Sequence, residues 1–168
     1  TAPSAPGGLS AGVTGSTANL TWSASTDDVA VVRYNVHRGT TPGFTPSAAN
    51  RIAQPTGTSY SDAGLAIGTY YYKVTAEDGA GNVSGASNEA SASVADATAP
   101  SAPSGLAANV TGSTVNLTWT ASTDNVGVVR YNVHRGTTSG FTPSAANRVG
   151  QPTGTSFGDT NVPAGAYF

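Results

Sequence analysis

The sequence predicts an all-β protein in which two antiparallel β-sandwiches follow one another along the chain. In the segment Asn19–Ser23, the apolar residues Leu20 and Trp22 alternate with polar ones, and such a period of two is typical of a strand with one buried face. The segment recurs as Asn116–Thr120, where Trp119 takes the place of Trp22. The chain of 168 residues contains 21 Gly, 10 Pro and only 10% charged residues, a composition that favours strands and turns over helices.

The repeat predicts two domains, residues 1–97 and residues 98–168. The two tryptophans lie 97 positions apart, and at this spacing only 19 of the 71 comparable positions differ. So close a match indicates a recent duplication. Each copy opens with Thr-Ala-Pro-Ser-Ala-Pro, in which proline favours extended backbone. We therefore interpret these openings as junctions between modules.

The second copy ends within the predicted sixth strand, at the position equivalent to Tyr71. We expect the chain to be an excerpt from a longer polypeptide. Two alternatives stay open. The second copy is partly disordered, or another chain supplies the remaining strands, as an exposed sheet edge allows. In the latter case the protein self-associates by strand complementation through the incomplete repeat 2.

Composition also argues against several classes of protein. Seven basic residues stand singly and are outnumbered by nine acidic ones, which gives a net charge of −2 and disfavours nucleic-acid binding. The absence of Cys removes disulfides, thiolate catalysis and Cys-based zinc sites. No apolar run approaches the roughly 20 residues of a membrane-spanning helix. We expect no nucleic-acid partner, no membrane span, no cofactor and no metal.

The first part of copy one alternates between apolar and polar residues in three segments. Strands are predicted, with polar turns between them, over residues 9–13, 18–23 and 32–38. In the third segment, Val32, Tyr34 and Val36 are predicted to share one face, and Tyr34 and Val36 to lie in the core. The opposite face is predicted to be exposed to solvent and carries Arg33, Asn35 and His37.

The second part of copy one contains the strongest strand of the chain. Two short strands are predicted first, over residues 51–52 and 58–60, and a turn follows at Asp62-Ala63-Gly64. In residues 69–77, inward-facing residues then alternate with polar or outward ones, and a last strand is predicted over residues 90–94. Seven short strands without a convincing helix predict an antiparallel sandwich.

The order of these residues resembles a fibronectin type III domain. The resemblance rests on Trp22 in the second strand, Tyr34-x-Val36 in the third, Leu65 before Gly68-Thr69-Tyr70-x-Tyr72-x-Val74, and the turn at Gly81-Asn82. More narrowly, the chain resembles the tandem fibronectin type III domains of bacterial, extracellular enzymes that degrade polysaccharides. The resemblance implies two immunoglobulin-like sandwiches, the second lacking its last strands, and a corner tyrosine whose hydroxyl bonds upstream backbone, Tyr70 in repeat 1 and Tyr167 in repeat 2.

The alternation and the repeat together predict which side chains form the two cores. These structural core residues are Leu20, Trp22, Tyr34, Val36, Tyr70, Tyr72, Val74, Leu117, Trp119, Tyr131, Val133 and Tyr167.

No combination of residues in the sequence forms a recognisable catalytic motif. His37 and His134 occupy one repeated position and are interpreted as exposed strand residues, because no carboxylate lies at a motif spacing from either. Asp27 is interpreted as closing a turn by side-chain to backbone hydrogen bonds rather than as a calcium ligand. We therefore predict that this segment is not an enzyme, although the parent protein can be a glycoside hydrolase or a related enzyme.

The resemblance favours a spacer or scaffold in a secreted or cell-surface bacterial protein. Its partners are then neighbouring modules of the same polypeptide. The alternative is a weak carbohydrate-binding or protein-interaction module, for which polysaccharide is the candidate ligand. Sugar binding needs exposed aromatic rings, and Phe44 and its repeat equivalent Phe141 are the candidate ligand contacts, although a cover over one end of each sandwich is the simpler interpretation.

Overall fold

A computed structural model describes all residues from Thr1 to Phe168. The chain divides into two compact units, Thr1–Asp96 and Ala97–Phe168, here called unit 1 and unit 2. Both units are built from antiparallel strands, and the only helical segments are two short 3₁₀ turns, Ala48–Asn50 and Ala145–Asn147. The predicted all-β fold is confirmed.

Unit 1 contains seven strands in two sheets. The strands are β1 Gly7–Thr14, β2 Thr17–Ser23, β3 Val31–Gly39, β4 Arg51–Ala53, β5 Ser59–Asp62, β6 Gly68–Asp78 and β7 Ala90–Val94. One sheet has three strands in the order β1-β2-β5, and the other has four in the order β4-β3-β6-β7. The pairing of β3 with β6 places residues that are distant in sequence side by side, since Val36 lies opposite Val74.

The core of unit 1 lies between these two sheets. Leu20 and Trp22 enter it from β2, and Tyr72 and Val74 enter it from β6, all four of them buried. The Trp22 and Tyr34 rings pack edge to face with their centroids 5.5 Å apart. The two best alternating segments of the sequence therefore supply opposite walls of one core.

The prediction that Val32 shares a face with Tyr34 and Val36 is wrong. The register between β3 and β6 shifts between Val31 and Arg33, and Val32 is 42% exposed. Such a bulge places one extra residue on a strand and interrupts its alternation. The regular pattern resumes at Tyr34, which is buried.

The region before β6 contains the corner expected for Tyr70. The Tyr70 hydroxyl donates to the Ala66 carbonyl at 3.1 Å, and buried Leu65 donates its N–H to Ser16 O at 2.9 Å. Two residues further along β6, the Tyr72 hydroxyl donates to the Asp62 carboxylate at 2.8 Å. These bonds fix the entry of β6 against the three-stranded sheet.

Unit 2 repeats the first five strands of unit 1, four of them at the same length and the third shortened from nine residues to two. They are β8 Ser104–Thr111, β9 Thr114–Thr120, β10 Val133–His134, β11 Arg148–Gly150 and β12 Ser156–Asp159. The sheets are β12-β9-β8 and β10-β11. Phe168 exchanges two backbone hydrogen bonds of 2.9 Å with Gly136, and the matching residues Tyr71 and Gly39 are paired in unit 1.

The core face of unit 2 is more open than that of unit 1. Trp119 packs edge to face on Tyr131 at 5.3 Å, as Trp22 does on Tyr34, but Trp119, Tyr131 and Leu117 are only partly buried. Leu106 is 70% exposed, whereas its equivalent Leu9 in unit 1 is 5% exposed. The difference arises because in unit 1 this face is covered by side chains of β6 and β7.

Candidate functional site

The repeated aromatic residue Phe44 lies over one end of unit 1. Its ring packs against Gly39, at the end of β3, and the Lys73 ammonium lies 5.3 Å from the ring centroid. The Lys73 ammonium also donates to the Phe44 carbonyl at 2.8 Å. Phe141 packs in the same way against Gly136 in unit 2. Both rings are partly buried, as a cover over the end of each sandwich requires.

Gly39→Ala is expected to destabilise unit 1 by about 1 to 3 kcal/mol, because a side chain there overpacks the contact. A Cβ at Gly39 meets the Phe44 ring carbons at 2.7 Å. Chemical denaturation measures the effect. Gly57→Ala is the control, since a Cβ there meets nothing within 4 Å. In a Phe44→Ala background the Gly39 substitution is expected to become nearly neutral, and an equal cost in both backgrounds contradicts the assigned contact.

The prediction that His37 is exposed is wrong. His37 is 5% exposed and Asn35 is 3% exposed, although both lie on the face of β3 directed away from the core. The loop that contains the Ala48–Asn50 turn covers this face. The His37 Nδ1 atom lies 2.9 Å from Asn50 Oδ1 and 3.1 Å from Ser47 O. His134 keeps the matching contact to Asn147 at 2.8 Å and is partly buried.

A network of polar side chains crosses the outer face of the four-stranded sheet. Asn35 is its centre, because it accepts from Gln54 at 2.7 Å and donates to Glu77 at 3.1 Å. Glu77 also forms an ion pair with Arg33, and Arg51 donates to Asn35 Oδ1 at 3.4 Å. We call these five residues the outer polar cluster. Sequence reasoning missed it because strand alternation shows which side a residue faces but not which loop covers that side.

Burial and charge shift two titratable groups on this face. Desolvation, assisted by the nearby Arg51 charge, lowers the pKa of His37 below its ordinary value. The Arg33 guanidinium holds the pKa of Glu77 below its usual range, with a further hydrogen bond from Asn35, although desolvation opposes both. The folded state therefore favours a neutral His37 and an ionised Glu77.

Unit 1 is expected to lose stability as the pH falls below the ordinary His pKa of 6.5. Between that value and the lower pKa of folded His37, the unfolded chain binds more protons than the folded chain does. The free energy of unfolding therefore decreases as the pH is lowered through this window. Urea denaturation at a series of pH values from about 8 to about 5 measures this slope. His37→Gln is expected to flatten it in this window, and an unchanged slope in that variant contradicts the assignment.

The turns that begin at Asp27 and at Asp78 are closed by hydrogen bonds from backbone N–H groups to the aspartate side chain. Asp27 Oδ2 accepts from Val29 N and Ala30 N, each at 3.1 Å, and Asp124 accepts in the same way in unit 2. Asp78 Oδ1 accepts from Ala80 N at 2.9 Å and from Asn82 N at 2.8 Å. Side chains that satisfy backbone donors in this way define turns.

No group of three or more His, Asp or Glu side chains could hold a metal ion. The contacts of both histidines are to amide or carbonyl oxygens. None of the helical segments is long or apolar enough to cross a membrane.

Comparison with known proteins gives matches that cover most of the chain. It is 46% identical to Chitinase A1 of Niallia circulans over 145 residues, which is 82% of this chain and 20% of that protein. It is 40% identical to Exoglucanase B of Cellulomonas fimi, over the full chain and 15% of that protein. No family model matches. The chain thus spans about a fifth or less of these curated relatives.

Among solved structures, the chain is similar to a Fn3-like protein from Clostridium thermocellum. The identity is 40%, the match covers 54% of this chain and 92% of that one, and the TM-score is 0.46.

Strand order and edge-to-face Trp–Tyr packing define the chain as a tandem of immunoglobulin-like β-sandwiches. Together with the Tyr70–Val74 motif and the relatives above, they place it in one family. The chain belongs to the fibronectin type III family, and segments similar to it occur in bacterial proteins named as chitinase and exoglucanase.

Proposed function

We propose that this chain is a non-catalytic spacer in a multimodular bacterial protein that acts on polysaccharide. One observation carries the proposal. Segments similar to this chain make up only 15 to 20% of relatives named as chitinase and exoglucanase, so most of each relative consists of other sequence. The neighbouring modules of the same polypeptide are the partners of such a spacer.

A folded spacer works by setting distance. Each sandwich behaves as a body of fixed length, and the proline-containing Thr-Ala-Pro-Ser-Ala-Pro junctions are stiffer than Gly/Ser linkers. A module held near an insoluble substrate by a second, binding module gains effective concentration there, provided that the linker can span the two sites. Each added copy of the sandwich therefore increases the distance that the spacer can bridge between its neighbouring modules.

We also infer an extracellular or cell-surface location, and the names of the relatives support it. The relatives are named for action on chitin and glucan, and polymers of that size are degraded outside the cell.

A module-exchange experiment tests the spacing role. The 168-residue chain is placed between a catalytic module and a carbohydrate-binding module, and is compared with a Gly/Ser linker of the same number of residues. Hydrolysis of insoluble polysaccharide is expected to differ between the two linkers, while hydrolysis of a soluble oligosaccharide stays equal. Equal rates on the insoluble substrate contradict the proposal.

Weak carbohydrate binding at Phe44 is the second candidate. It is favoured by the partial exposure of the ring, with the Lys73 ammonium nearby. Retention of the chain on insoluble polysaccharide that is lost in Phe44→Ala supports this candidate. Phe141→Ala is the matched variant in unit 2.

The open face of unit 2 favours a third candidate, protein interaction by strand complementation. The face that carries Leu117, Trp119 and Val133 matches the face that Tyr72 and Val74 cover in unit 1. A strand with the alternation of β6 fits it. Sedimentation over a range of concentrations tests self-association, and a constant mass equal to one chain contradicts it.

A further inference from the structure

A cleft lies on the outer face of the four-stranded sheet in unit 1, beside the outer polar cluster. Its volume is about 350 Å³, and its floor is formed by Asn35, His37 and Thr75. The loop before β4 forms one side, and the segment between Val83 and Ala86 forms the other. Sites for small molecules begin at about 300 Å³, so the cleft is large enough to hold one sugar ring.

The hydrogen bonds of His37 fix which ring nitrogen carries the proton. Nδ1 contacts two acceptors, Ser47 O and Asn50 Oδ1. The amide orientation of Asn50 is itself fixed, because its Nδ2 donates to Thr45 O at 2.8 Å. Nδ1 is therefore protonated, and Nε2 of the neutral ring is an acceptor. Nε2 makes no hydrogen bond within the protein, and His37 is 5% exposed and lines the cleft.

Two donors line the same cleft, Thr75 in its floor and Arg51 at its side. Thr75 Oγ1 accepts from Asn35 Nδ2 at 3.4 Å, which leaves the hydroxyl hydrogen of Thr75 free to donate. Arg51 makes one hydrogen bond, at 3.4 Å to Asn35 Oδ1, and its remaining N–H groups are available. The cleft thus presents one unfilled acceptor and several donors within a lining that also contains Pro46 and Val83.

We propose that this cleft binds a hydroxyl-bearing sugar unit. A hydroxyl group donates to His37 Nε2 and accepts from Thr75 or Arg51, so one sugar with neighbouring hydroxyls fills both roles. An ionised carboxylate accepts only, and leaves Nε2 without a donor. The apolar parts of the lining suit the C–H face of a pyranose ring. Sugar binding here and a spacing role are separable, because binding uses one cleft and spacing uses the folded length.

Unit 2 offers a matched control within the same chain. His134 and Asn132 repeat His37 and Asn35, and His134 Nδ1 contacts Asn147 at 2.8 Å. Unit 2, Ala97–Phe168, contains no counterpart of Thr75 in the cleft floor or of the Val83–Ala86 side. The same histidine therefore lies in a complete cleft in unit 1 and in half of one in unit 2.

Titration of the ¹⁵N-labelled chain with cellobiose, followed by NMR, tests the proposal. Saturable shifts are expected for the His37 Nε2 and for the backbone amides of Thr75 and Ser84, with a dissociation constant in the millimolar range. The ring nitrogens of His134 are expected to stay unshifted. Equal shifts at both histidines, or none at His37, overturn the proposal.

Variants and a second probe sharpen the result. Arg51→Ala, at an exposed position, is expected to weaken binding about threefold to tenfold without unfolding unit 1. Arg148→Ala is the control in unit 2, and is expected to leave binding unchanged. Inorganic phosphate is the anion probe, and phosphate binding at His37 in place of cellobiose overturns the assigned ligand class. The module-exchange result does not depend on any of these outcomes.

Discussion

Trp22→Ala is expected to lower the free energy of unfolding of unit 1 by about 3 to 5 kcal/mol, the usual cost of removing a buried aromatic side chain. The ring is 6% exposed and packs on Tyr34, whose hydroxyl accepts from Ser25 N at 2.9 Å. The Trp22 indole N–H has no hydrogen-bond partner within the protein, so the expected loss comes mainly from burial and packing. This cost is comparable to the stability of a small domain, about 5 to 15 kcal/mol.

Native-state hydrogen exchange measures this effect in one unit at a time. The backbone amides of Tyr72 and Val74 lie in β6 and are expected to exchange through global unfolding of unit 1. Trp119→Ala is the control in unit 2, where the partly buried ring lies beside an open face, and its cost to unit 2 is expected to be below about 2 kcal/mol. Unchanged protection of β6 in Trp22→Ala contradicts the assigned role of this side chain.

The sequence predicted the fold class because strand alternation and burial have the same origin. A period of two follows from the geometry of an extended chain, so Leu20, Trp22 and Val36 could be assigned to one side of a strand without knowing its neighbours. The repeat strengthened the prediction, because each segment occurred twice. Pairing partners such as β3 and β6 follow from the family resemblance and not from any local signal.

The sequence did not predict what covers the outer face of β3. Asn35 and His37 face away from the core, and a solvent-exposed position is the simplest expectation for polar residues there. Their burial depends on a loop whose path is set by long-range contacts, including the hydrogen bond from the Lys73 ammonium to the Phe44 carbonyl. The repeated Ser-Ala-Ala-Asn sequence, which ends at Asn50 in copy one, was the available signal, since its asparagine binds the histidine in both units.

Asp62, at the opposite edge of the core, is another residue whose burial the sequence did not predict. The sequence placed Asp62 in a turn, but it ends β5 and its carboxylate is buried between Arg38 and Tyr72. The pairing of Arg135 with Asp159 repeats the ion pair in unit 2 at 2.8 Å. Arginine and aspartate recur 24 residues apart in both copies, and this recurrence was the available signal for an ion pair. It was missed because Asp62 was interpreted as a turn residue.

Asp62→Ala is expected to destabilise unit 1 by about 2 to 4 kcal/mol. Asp62 accepts from the Arg38 guanidinium at 2.9 Å and from the Tyr72 hydroxyl at 2.8 Å. Breaking a buried ion pair costs about 3 to 5 kcal/mol, because the remaining charge loses its partner. The Arg38 side chain is 34% exposed, and water satisfies part of its charge, so we place the expected loss about 1 kcal/mol below that range. Burial also raises the pKa of the Tyr72 hydroxyl, which therefore stays a donor and is left unpaired.

Two further variants separate the contributions of Arg38 and Tyr72 to this loss, each measured by urea denaturation. Tyr72→Phe removes one hydrogen bond and is expected to cost about 0.5 to 1.5 kcal/mol. Added to Asp62→Ala, it is expected to cost less than it does alone, because the hydroxyl then has no acceptor to lose. Asp159→Ala breaks the pair with Arg135 in unit 2, where no counterpart of Tyr72 is present, and is expected to cost less than Asp62→Ala. Strict additivity of the two unit 1 substitutions means that the Tyr72 hydroxyl does not depend on Asp62, and the ion pair alone then holds β5 to β3.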